Sequence, residues 1–124
     1  MKMSEILELQ NFYLTIKDTK LPLKTAYKLT RLMRRVAQET EFYANEFSKI
    51  VDEYGKKENG QLVYTEDQTS IQIIPGKEIE CNIKINELRD LEVDLSEFVF
   101  TIEEFEGIDL TLNQMNILLP LIKN

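Results

Sequence analysis

Apolar residues return along the middle of the chain at alternating steps of four and three: Leu29, Met33, Val36, Thr40, Tyr43, Phe47, Ile50 and Tyr54. Ala26, Ala37, Ala44 and Val51 flank this seam and widen it toward the roughly 100° face of a core-packing helix. Lys28, Arg31, Arg35, Gln38, Glu46, Lys49 and Glu53 take the opposite, water-facing side. The spacing predicts one long amphipathic helix. Pro22 suits its first position, and Gly55 after Tyr54 suits a left-handed stop.

Before it, Ile6, Leu9, Tyr13 and Ile16 step by three, four and three, which predicts a helix from Ser4 as N-cap with Glu5 in its first turn. A strand through Phe12, Leu14 and Ile16 is the weaker alternative. The short connection from Asp18 to Leu21 lets the two helices fold back as a hairpin. Lys56 to Ser70 is polar and carries the turn dipeptide Asn59-Gly60. Leu62 to Tyr64 and Ile71 to Ile74 read as a small β-hairpin that ends at Pro75-Gly76.

From Lys77 the period is helical again, with Cys81, Ile85 and Leu88 in one row and Ile79 and Ile83 in the next. Asp90 to Leu95 alternates acid with aliphatic, as a half-buried strand does. Thr101 with Glu104, and Thr111 with Gln114, have capping-box spacing. They predict short helices over Ile102 to Glu106 and Leu112 to Leu118, parted by Gly107, with Pro120 ending the second. Without a repeat, long linker or low-complexity tract, residues 1–124 read as a single domain of mostly α (α+β) class. It comprises a helical hairpin with one long amphipathic helix, a small β element and short C-terminal helices.

Composition removes several kinds of chemistry. The chain has no histidine, so the usual general base and commonest metal ligand are missing. Cys81 is alone, which excludes an internal disulfide and a thiolate zinc site. No apolar run approaches the roughly 18 residues of a membrane span, and Met1 to Asn11 is broken by Lys2, Glu5 and Glu8, unlike a signal peptide. A cytoplasmic protein is expected, with no membrane contact and no cofactor.

The net charge of -7 hides a dipole. Residues 1–36 hold eight Lys and Arg against three acids, while the remainder holds seven bases against nineteen acids. Eight acids fall in one short stretch: Asp90, Glu92, Asp94, Glu97, Glu103, Glu104, Glu106 and Asp109. Such asymmetry can steer association or head-to-tail packing. A solvated surface with some internal basic-to-acidic contacts is the plainer account.

Candidate chemistry is weak. The acid row lacks the turn glycine of a calcium loop, and strand period spreads Asp90, Glu92 and Asp94 toward water, so no metal site is assigned. Glu103 with Glu104 or Glu106 is better explained by the helix dipole than by glycosidase chemistry. Lys24, Lys28, Arg31 and Arg35 share one helix face suited to phosphates, but the acidic remainder repels nucleic acid and the row runs into Glu39, Glu46 and Glu53. The long seam fits a coiled coil, yet Thr40 and its aromatics favour intramolecular packing. Glycine-rich phosphate loops and nucleophile elbows are absent. No catalytic residue is assigned, and no enzyme is expected.

Several segments carry a resemblance: Lys20-Leu-Pro-Leu-Lys-Thr-Ala-Tyr-Lys-Leu, the helix end Glu53-Tyr-Gly, Ile85-Asn-Glu-Leu, Phe105-Glu-Gly-Ile-Asp-Leu-Thr, and Leu119-Pro-Leu-Ile. In these the chain resembles a family of small, uncharacterised proteins of tailed phages and prophages of Gram-positive hosts. It departs from them in the apolar segment Ser70 to Ile74. The shared motifs set helix starts, caps and core, so the resemblance implies a phage setting, in the host cytoplasm or with the virion, and no mechanism.

Two functions follow as expectations. One is a non-enzymatic phage accessory or assembly protein that binds phage or host proteins, as a monomer or small homo-oligomer. The other is an acidic, anti-CRISPR-like inhibitor of a host nucleic-acid-binding defence enzyme, its carboxylates standing in for phosphates. Either would use the eight acids from Asp90 to Asp109 as its partner-binding surface.

Overall fold

A computed structural model describes residues 1–123. It is mostly helical: α1 (Met3–Ile16), α2 (Leu23–Tyr54), α3 (Glu78–Arg89) and α4 (Leu112–Leu118), with a two-stranded sheet of β1 (Lys57–Glu58) and β2 (Gln61–Leu62). Turns of 3-10 helix cover Ile102–Phe105 and Leu119–Leu121. The chain divides into two compact units, Met1–Thr40 with the chain from Glu92 onward, and Glu41–Leu91.

The first unit holds the deeper core. α1 buries Met3, Ile6, Leu9, Phe12 and Ile16, and α2 buries Thr25, Leu29, Leu32, Val36 and Thr40. Val93, Leu95, Phe100, Phe105, Leu118 and Leu121 complete it. The first element is thus helix, not strand, and its cap lies two residues earlier than expected. Lys2 rather than Ser4 is the N-cap, its backbone N–H donating to Glu5 Oε1 at 2.9 Å. α2 starts at Leu23, with the Pro22 carbonyl accepting from the Ala26 N–H.

Two seam positions differ from the spacing. Phe12 is buried where Tyr13 was expected, and α4 packs on α1. Leu32 is fully buried and Met33 only half. Thr25, Leu29, Leu32 and Val36 lie closer to one line on the helix surface than a seam through Met33 does.

Both C-terminal caps form. The Thr101 N–H donates to Glu104 Oε1 at 3.0 Å and the Thr111 N–H to Gln114 Oε1 at 2.8 Å, while the Gln114 N–H donates back to Thr111 Oγ1 at 3.1 Å. The first capped segment is a 3-10 turn and not an α-helix. Gly107 follows it at φ 83°, a left-handed conformation open to glycine at little cost. Asp90 to Leu95 is not a strand. Its one ladder contact is an antiparallel bridge between Glu92 and Lys2, yet Val93 and Leu95 still point inward.

In the second unit, the later part of α2 keeps the same apolar stripe under thinner cover. Tyr54 is buried, but Tyr43, Phe47 and Ile50 are half-buried, with the Tyr43 and Phe47 rings stacked 5.7 Å apart. α3 turns its Cys81 and Leu88 row inward and leaves Ile79 and Ile83 out. β1 and β2 pair around Asn59 and Gly60, whose φ values of 53° and 78° suit a two-residue hairpin turn.

The expected pairing of Leu62 to Tyr64 with Ile71 to Ile74 survives as a Tyr64–Ile71 bridge. The same returning segment also bonds the end of α2, through a Gly55–Ile73 bridge and the Ile74 N–H on the Tyr54 carbonyl. Gly55 is therefore not a left-handed stop, since its φ is not positive. It is small because a Cβ there would stand 2.6 Å from both Leu62 Cδ2 and the Val51 carbonyl oxygen.

Candidate protein-binding surface

The fold divides the eight acids by role. Glu104 faces inward, its side chain 11% exposed, and it bonds Lys28 Nζ at 2.8 Å besides capping the 3-10 turn. The Lys28 hydrogen bond is the main reason its carboxyl is held below the ordinary value, against the upward push of burial. Glu97 lies 3.8 Å from Arg35 Nη1, and Arg35 also bonds Glu39 at 3.0 Å. Glu92 accepts from the Met1 amino group at 3.2 Å. Asp94 accepts the Ser96 N–H at 2.9 Å, and its hydrogen bonds with Ser96 lower its titration. Asp90 is exposed at the C-terminal end of α3, in the second unit.

Glu103, Glu106 and Asp109 remain. All are exposed, and among the described residues none has a cationic partner. They sit on and just after the 3-10 turn Ile102–Phe105, and Glu106 borders a shallow hollow of about 300 Å³. Ile102, Phe105, Ile108, Leu110, Met115 and Ile122 line it, with Glu106 on its edge. Ile102 is half exposed there. This arrangement is apolar inside and acidic outside, able to hold an apolar side chain while carboxylates meet a cation next to it.

The basic row is divided in the same way. Lys28 and Arg35 are spent on internal ion pairs, while Lys24 and Arg31 are exposed and form no salt bridge among the described residues. The inward role of Glu104 had a sequence signal, its capping-box partner Thr101. The hollow had none, because it is built by residues from three separate segments. Among the described residues, no group of three or more His, Cys, Asp or Glu is placed to hold a metal ion, and no helix is long and apolar enough to cross a membrane. Comparison with known proteins finds no matching family model, curated protein or solved structure.

Proposed function

We propose that this chain is a non-enzymatic phage accessory or assembly protein that works by binding another protein. The phage setting, with a place in the host cytoplasm or on the virion, rests on the resemblance of its fold-setting segments alone. The observation that carries protein binding is the hollow lined by Ile102, Phe105 and Met115 and edged by unpaired Glu106, with exposed, unpaired Glu103 and Asp109 next in the chain to its lining residues. Its chemistry suits a segment that presents an apolar side chain flanked by Lys or Arg. Nucleic acid is disfavoured by the same carboxylates. The inhibitor reading loses ground, since Glu104 and Glu97 are answered within the fold and leave fewer carboxylates to mimic phosphates.

The test is a variant with Glu103→Gln, Glu106→Gln and Asp109→Asn, compared with the unaltered protein in capture from infected-host lysate. The variant should keep its melting temperature and lose a partner that the unaltered chain releases with rising salt. Capture of the same partner at equal strength by both proteins would sink the reading.

A further inference from the structure

The first unit carries an open groove between α1 and α2, away from the acidic hollow. Tyr13 and Leu14 wall it on one side, Met33 and Ala37 on the other, over a floor of fully buried Val36, and it encloses about 380 Å³. A smaller hollow of about 130 Å³ shares Tyr13 and Thr30 and continues the seam past Ala26 and Lys17. From Ala26 to Ala37 the seam runs ~16 Å at the helical rise. Arg34 lines it, exposed and without a carboxylate partner among the described residues.

The second unit carries an apolar ridge that ends in the opposite charge. Because α3 turns Cys81 and Leu88 inward, Ile79 and Ile83 stand out at 76% and 51% exposure. Glu87 continues their row one turn further on, exposed and with no cationic partner among the described residues. From Ile79 to Glu87 the ridge rises ~12 Å, short enough to lie within the seam. Two isoleucines a turn apart, followed by a carboxylate, have the pattern of a helix that lies in an apolar groove.

We propose that the α1–α2 groove of one copy receives α3 of a second copy, with Ile79 and Ile83 between the helices and Glu87 beside Arg34. Each copy offers one groove and one ridge, so the contact joins unlike surfaces of two copies. A single helix in a groove covers less area than a permanent interface, which makes the assembly weak and dependent on concentration. The idea extends the protein-binding reading and uses none of the residues at the acidic hollow, so the two stand or fall separately.

Light scattering after size exclusion tests it across a concentration series at low and high salt. The unaltered protein should rise above the 14.6 kDa of one chain with concentration, and less so in high salt. Ile79→Gln with Ile83→Gln, and separately Leu14→Glu, should each stay at one chain's mass with unchanged circular dichroism. If Leu14→Glu fails to fold, Arg34→Glu takes its place.

Mixing the ridge variant with the groove variant should give two chains and no more, since one intact groove then meets one intact ridge. The Glu103, Glu106 and Asp109 variant should associate like the unaltered protein. A single-chain mass for the unaltered protein throughout, association that persists in the ridge variant, or a mixture no heavier than its parts would each overturn the proposal.

Discussion

The ammonium of Lys28 lies 2.8 Å from Glu104 Oε1 and 4.9 Å from the centre of the Phe100 ring. One cation thus answers a carboxylate that is almost fully covered and also rests over an aromatic face. The Thr25 hydroxyl donates to the Glu104 backbone carbonyl at 2.6 Å, so the start of α2 holds the 3-10 turn twice. The other carboxylate oxygen of Glu104 is buried with no hydrogen-bond partner. That raises the weight of the Lys28 contact, because an uncompensated buried charge is costly.

Lys28→Met keeps most of the stem and removes the charge. It should cost roughly 1 to 3 kcal/mol in urea denaturation, the range for leaving a buried hydrogen-bond acceptor unanswered. Glu104→Gln should cost less, since an amide oxygen can still cap Thr101. Equal stability of Lys28→Met and the unaltered protein would show that the pair contributes nothing.

Acid should weaken the fold through the same carboxyl. Glu104 titrates below its ordinary 4.5 in the folded chain, so the fold favours its charged form. Its contribution is therefore complete above that ordinary value and is lost as pH falls through the lowered folded-state one. Melting temperature should hold on the neutral side of about 4.5 and decline below it. In Glu104→Gln the decline should be shallower.

Phe100 and Phe47 separate the two units energetically. Phe100 is fully buried and packs on Phe105 with ring centres 5.3 Å apart, so Phe100→Ala should cost about 3 to 5 kcal/mol. Phe47 is half-buried, and Phe47→Ala should cost roughly half as much, in proportion to the area lost. Paired denaturation curves decide this, and a larger loss at Phe47 would contradict the burial.

Hydrogen exchange should rank the units in the same order. The second buries Tyr54, Cys81 and Leu88 but leaves Tyr43, Phe47 and Ile50 half covered. Amides of α3, and of α2 beyond Thr40, should exchange before those of α1 and of α2 from Thr25 to Val36. Uniform protection along α2 would count against two packing regimes on one helix.

Gly55→Ala tests a close approach. The added methyl meets the Val51 carbonyl, which is helix backbone and cannot step aside, as well as Leu62. A loss of about 1 to 3 kcal/mol is expected, the usual range for overpacking. Gly60 has open space around it but a φ of 78°, so Gly60→Ala strains only the turn. An unchanged denaturation midpoint for Gly55→Ala would refute the crowding.

The long helix, the two capping boxes and the helical period of α3 were legible in the sequence because each depends on residues within about two turns of one another. Periodicity also marked the stripe from Leu29 to Tyr54, but not how much would cover it. Leu32 or Met33, Phe12 or Tyr13, and deep or shallow burial of Phe47 depended on which segments arrive from elsewhere in the chain. The alternation from Asp90 to Leu95 marked Val93 and Leu95 as inward, but also Leu91, which is exposed, and it suggested a strand. A strand also needs a partner ladder, and Lys2 supplies a single bridge.

Charge followed the same division. Eight clustered acids were plain in the sequence, yet only packing could spend Glu104 on Lys28 and Glu97 on Arg35 and leave Glu103, Glu106 and Asp109 open. Local spacing fixes the direction of a side chain on its own element. What that side chain meets is set by contacts between residues far apart in the chain, and these exist only in the folded protein.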